Sequence, residues 1–137
     1  MRVLIINTSE RMGGAAIAAN RLMDALRNNG IQAKMLVRDK QTEQISVVGL
    51  KKSWWRVWQF IWERVFIWKA NKFKKHNLFA VDIANTGTDI TSLPEFKQAD
   101  VIHLHWINQG LLSLNGIKQI LSSGKPVVWT MNDMWPC

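Results

Sequence analysis

Apolar positions along this chain come in two rhythms, unbroken runs and one-in-three-or-four stripes. Arg2 to Asn7 (RVLIIN) is a continuous aliphatic run closed by Asn7-Thr8-Ser9, and such a run suits a strand buried on both faces of a parallel sheet. A loop with Gly13-Gly14 follows. Ala15, Ala18, Leu22 and Leu26 then recur at helical spacing until Asn28-Asn29-Gly30 supplies a stop. Ile31 to Val37 (IQAKMLV) reads as a second strand. Strand, glycine loop, helix and strand in this order close right-handed and build parallel sheets. The same grammar returns near the end. Asp100 to His105 (DVIHLH) reads as a strand, and Leu111 to Leu121 as a helix with Leu114, Ile117 and Leu121 on one face. Ser122-Ser123-Gly124 terminates that helix, and Pro126 opens a strand from Val127 to Thr130. Between Phe79 and Phe96, strand-like pieces alternate with Gly, Thr and Asp turns, and no element is assigned. The pattern predicts one α/β domain over 1–137, an open, Rossmann-like parallel sheet with helices on both faces.

One stretch departs from this grammar: KKSWWRVWQFIWERVFIWKANKFKK. On a helix, Trp54, Trp58, Ile61, Trp62, Val65 and the stem of Lys69 gather on one side, with Gln59, Glu63 and Ala70 opposite. A membrane span needs about 20 apolar residues with few charges, and Arg56, Gln59, Glu63 and Arg64 interrupt this one. Charge sharpens the contrast. The chain carries a net +8, and residues 51–76 hold eight Lys or Arg against Glu63 alone, a local +7. The remainder is nearly neutral at +1, so the high pI belongs to one segment, which also contains five of the eight tryptophans. Three readings fit. A Trp-rich face with basic ends suits a helix lying in the interface of an anionic membrane, with Lys51, Lys52, Trp54, Trp55, Trp58 and Trp62 as its contacts. The same residues suit a core helix packed on the sheet. Interleaved aromatic and basic residues also suit single-stranded nucleic acid, which the neutral remainder and the lack of a recognisable nucleic-acid module disfavour.

The single cysteine, Cys137, rules out an intrachain disulfide. The opening residues have neither the apolar length nor the small-residue cleavage site of a signal peptide. The expected compartment is the cytoplasm.

Candidate chemistry lies at the predicted carboxyl ends of strands, where open α/β sheets bind ligands. Gly13-Gly14 at a helix start suits close backbone approach to a phosphate or sugar, and equally a tight turn. The motif is neither a complete G-x-G-x-x-G nor a P-loop. His103 and His105, two apart on a strand, share a face. A third metal ligand of suitable spacing is not visible, so hydrogen-bonding histidines near a site mouth fit better than a metal pair. Asn132 and Asp133 would project from the last strand's carboxyl end, as ligand contacts or as turn formers.

Together, INTSERMGGAAIAANRLMDAL, ADVIHLHWINQGLLSL and PVVWTMNDMWP resemble, in order, three segments of the family 4 retaining glycosyltransferases. The likeness is to bacterial members that build capsule, lipopolysaccharide or exopolysaccharide. It implies the amino-terminal, acceptor-side half of a GT-B fold, with Gly13 and Gly14 against the donor diphosphate and acceptor sugar. It also implies His105 near the acceptor, with Trp106 and Asn108 beside it, and Asp133 and Trp135 shaping the cleft floor. Asn132 falls where many relatives carry a histidine. An asparagine hydrogen-bonds but is neither acid nor base near neutral pH, so no catalytic residue is named. The implied co-substrate is a nucleotide-diphosphate sugar, the acceptor a growing, lipid-linked glycan, and no cofactor or metal is needed. In this family a second domain holds most of the nucleotide-sugar site. The chain is therefore expected to be a fragment, inactive by itself, peripheral on the inner face of the cytoplasmic membrane and able to self-associate through cleft surface. The competing expectation is a non-catalytic Rossmann-like module that binds membrane or a protein partner.

Overall fold

Seven of the eight residues of the first strand, β1 (Arg2–Ser9), are buried, as a strand with neighbours on both edges and layers on both faces must be. It pairs in parallel with β2 (Gln32–Asp39) on one side and β4 (Val101–Leu104) on the other. β3 (Val47–Gly49) extends the sheet beyond β2, and β5 (Val127–Trp129) beyond β4. The order is β3-β2-β1-β4-β5 with every pairing parallel. This is the expected Rossmann-like open sheet, seen in a computed structural model that describes residues 1–50, 54–70 and 87–131.

Strand alternation sorts the aliphatic residues onto two faces. Val3, Ile5, Ala33, Met35 and Val37 meet Ala19 and Met23 of α1 (Gly14–Asn28). Leu4, Ile6, Leu36, Ile102 and Leu104 pack with Phe96 of α3 (Pro94–Gln98) and with Ile117 and Ile120 of α4 (Leu114–Leu121). Helices thus cover both faces. The remaining helix, α2 (Trp54–Ala70), is the tryptophan-rich one.

Local signals explain the helix ends. α1 stops where Gly30 takes φ 80° and the amides of Asn29 and Gly30 bond back to Ala25 and Arg27 carbonyls. α3 opens on Pro94, whose missing N–H costs nothing in a first turn. The Ser113 hydroxyl caps α4 by accepting from the Gly116 amide.

Two helix faces differ from expectation. In α1 the buried stripe is Ala16, Ala19 and Met23, with Leu22 and Leu26 at its edge and Ala18 exposed. In α4 the stripe is Gly116, Ile117 and Ile120, while Leu114 and Leu121 are exposed. Leu111 and Leu112 lie buried in the turn before α4 rather than in its first turn; that anchorage and the Ser113 cap set the helix's start and rotation. The short β3 and α3 were not foreseen.

The core reading of the tryptophans fails for those described. Trp54, Trp58 and Trp62 are exposed, and α2 buries Arg64 and Ile67 instead. Lys51, Lys52, Asn132, Asp133 and Trp135, and the side chain of Trp55, lie outside the described residues.

Candidate functional site

The chain leaves β1 through α1 on one face and arrives at β4 from α3 on the other. The carboxyl ends of β1 and β4 are therefore the point where strand order reverses, which is where sheets of this type bind ligands.

On the β1 side the chain runs into the glycine loop. Gly13 has φ 89° and ψ 163°, a conformation essentially confined to glycine. α1 then begins with no side-chain cap and no acidic residue in its first turn. Its leading amides keep the partial positive charge that favours anions. A Cβ placed on Gly13 or Gly14 would meet nothing within 4 Å, so the backbone is open to close approach there.

On the β4 side the chain leaves the sheet as His105-Trp106-Ile107-Asn108, and β1 holds this loop tightly. The Thr8 amide donates to the Trp106 carbonyl at 2.7 Å. The Thr8 hydroxyl lies 2.9 Å from the carbonyls of both Trp106 and Asn108. The Trp106 amide donates to the Asn7 side-chain carbonyl at 3.0 Å. β2 adds Arg38, whose guanidinium donates to the Gln109 carbonyl. Gln109 has φ 59° and is followed by Gly110 at φ 80°, so the loop turns sharply back under these clamps. A second clamp fixes the other flank. Glu10 is only 1% exposed, and its carboxylate accepts from the amides of Gln41 and Thr42 and from the Thr42 hydroxyl. Burial pushes the Glu10 pKa up, but those hydrogen bonds, with the Arg11 charge, outweigh it, and the group titrates below the usual carboxylate range.

The two histidines share a face, as their spacing requires. His103 pairs in register with Ile5, whose side chain faces α1. The rings stack with centroids 4.6 Å apart. His103 Nε2 shares a hydrogen bond of 2.8 Å with the Thr130 hydroxyl. His105 is different. It is 4% exposed, and neither ring nitrogen has a hydrogen-bond partner among the described residues. Leaving such a group unpaired costs about 1–3 kcal/mol. Burial, and then the neighbouring His103, hold the His105 pKa down to about 4, and burial lowers that of His103. Near neutral pH each ring is uncharged, with one donor and one acceptor nitrogen.

The structure thus brings His105, Trp106 and Asn108 onto one loop pinned to the strand that leads into Gly13-Gly14. Among the described residues no group of three or more His, Cys, Asp or Glu could hold a metal ion. A small cavity of about 140 Å³ lies elsewhere, at the amino ends of β1 and β2, lined by Arg2, Gln32, Lys34 and Glu95. The sequence reading missed the clamps at Thr8, Glu10 and Arg38. Their one visible signal is polar side chains at the ends of otherwise apolar strands. Comparison with protein-family models, with curated proteins and with solved structures finds no match to this chain.

Proposed function

We propose that this domain binds a sugar at the carboxyl ends of β1 and β4 and forms the acceptor-side half of a retaining sugar transferase. The observation that carries the reading is His105, a buried, neutral imidazole whose nitrogens both lack a partner among the described residues. A sugar hydroxyl, donor and acceptor at once, is the chemical complement of either nitrogen of such a ring. The open backbone at Gly13 and Gly14 and the uncapped start of α1 suit a phosphate group of a nucleotide-sugar donor. In a retaining transfer those amides would help stabilise charge developing on the leaving diphosphate. With a pKa of about 4, His105 orients a hydroxyl rather than taking its proton near neutral pH.

The test is ligand-observed NMR on the protein with a panel of nucleotide-diphosphate sugars, monosaccharides and short glycans. Binding by the native chain and its loss in a folded His105→Ala variant are expected. No binding of either class at millimolar ligand would overturn the proposal. The second reading, a non-catalytic binding module, is favoured by the outward aromatic face of α2. The same titration separates the two, because such a module has no sugar site.

A further inference from the structure

An ordinary surface helix turns its apolar stripe to the core and its polar side to water. In α2 an apolar stripe faces outward. Arg64 and Ile67 are buried, whereas Trp54, Trp58, Ile61, Trp62, Val65 and Phe66 are exposed, Trp54 at 77% and Trp62 at 72%. At 100° per residue these six span one side of the helix, the buried pair lies on the other, and Val57 and Trp68, also exposed, sit at the border beside Arg64. From Trp54 to Phe66 the strip runs about 18 Å along the axis. Half of the exposed large apolar side chains among the described residues belong to this one helix.

Charge decides between the occupants that such a strip could meet. Residues 51–76 carry a net +7, so a second copy of the same strip would bring like charges together. An anionic surface reverses that sign. Tryptophan has an apolar body and a polar N–H and is at home at the headgroup level of a bilayer. No helix among the described residues is long and apolar enough to cross a membrane, which leaves a helix lying in the interface plane as the matching geometry. We propose that α2 docks this domain on an anionic lipid bilayer, its tryptophan face in the headgroup region. The proposal stands whether or not the carboxyl ends of β1 and β4 bind sugar.

The test mixes the full chain with sedimentable vesicles of phosphatidylcholine doped with phosphatidylglycerol. Native protein is expected in the pellet, with weaker binding to pure phosphatidylcholine. A Trp54→Ala, Trp58→Ala, Trp62→Ala triple variant is expected to partition at least about tenfold less. Native protein that stays in the supernatant overturns the proposal, as does a folded triple variant that binds as well as the native chain. Binding to single-stranded oligonucleotide without binding to vesicles also overturns it. So does a dimer that the substitutions dissociate while vesicles remain unbound. Should the triple variant fail to fold, quenching of native tryptophan fluorescence by brominated lipid gives the answer. Quenching supports interfacial docking, and unquenched emission overturns it.

Discussion

A methyl group added at Gly13 would find room but the wrong backbone; at Gly14 it would find room and an ordinary helical backbone. The adjacent glycines therefore separate folding from binding. Gly13→Ala is expected to cost about 1–3 kcal/mol through its strained φ and ψ. Gly14→Ala is expected to leave stability unchanged or raise it by up to about 1 kcal/mol. Urea titration measures both, and a Gly14→Ala protein of full stability that no longer binds sugar phosphates would assign that glycine to the ligand. Gly87 has a third reason to be glycine, since a Cβ there would fall 2.2 Å from the Ser113 amide nitrogen. Gly87→Ala is expected to cost about 1–3 kcal/mol in thermal unfolding by forcing two backbone segments apart. At this scale the histidine pair was legible, because two-residue spacing on a strand fixes a common face. Gly87 was not, because nothing local to it announces the chain that packs against it.

Between elements, single polar side chains carry the coupling. Thr8 ties β1 to a loop a hundred residues later in the sequence, and Glu10 ties the end of β1 to the segment after β2. Thr8→Val keeps the shape and removes the hydroxyl, so a loss of about 1–2 kcal/mol is expected. Faster amide hydrogen exchange at Ile107 and Asn108 would show that the loop has come loose. Strand–helix–strand order, the parallel sheet and the tryptophan helix could be read from periodicity, which records where a chain alternates between core and water. The clamps could not, because their partners are remote in sequence. β3 was missed because three residues are too few to show a period. The rotations of α1 and α4 were misjudged because several apolar residues lie at the margins of each stripe, and tertiary packing decides which of them are covered.

Over the whole molecule the titrating groups at the site act with one sign. The unfolded His105 protonates near 6.5, whereas the folded one resists until about 4. Its contribution is complete above 6.5 and is lost as pH falls toward 4. His103 shifts in the same direction. Glu10, with its folded pKa below 4.5, contributes above that value and loses its contribution as pH falls through the lower one. The protein is expected to weaken progressively from pH 6.5 downward, with His105 responsible for roughly 1–3 kcal/mol. Urea midpoints measured across that range test this. His105→Asn should flatten the slope, and an unchanged slope would mean that the ring is not protected from protons as its burial implies.

The pairing scheme also sets a timetable. Arg2 finds Gln32 early, but Val3 must wait for Val101 before its other edge is filled. On a ribosome, then, the most buried strand of the fold keeps one edge unpaired until β4 has been made. Open apolar edges recruit other chains, and pairings this distant in sequence form slowly. Refolding from denaturant should accordingly be slow and lose yield as protein concentration rises. In the cell, production of this domain would depend on chaperone capacity more than on the stability it finally reaches.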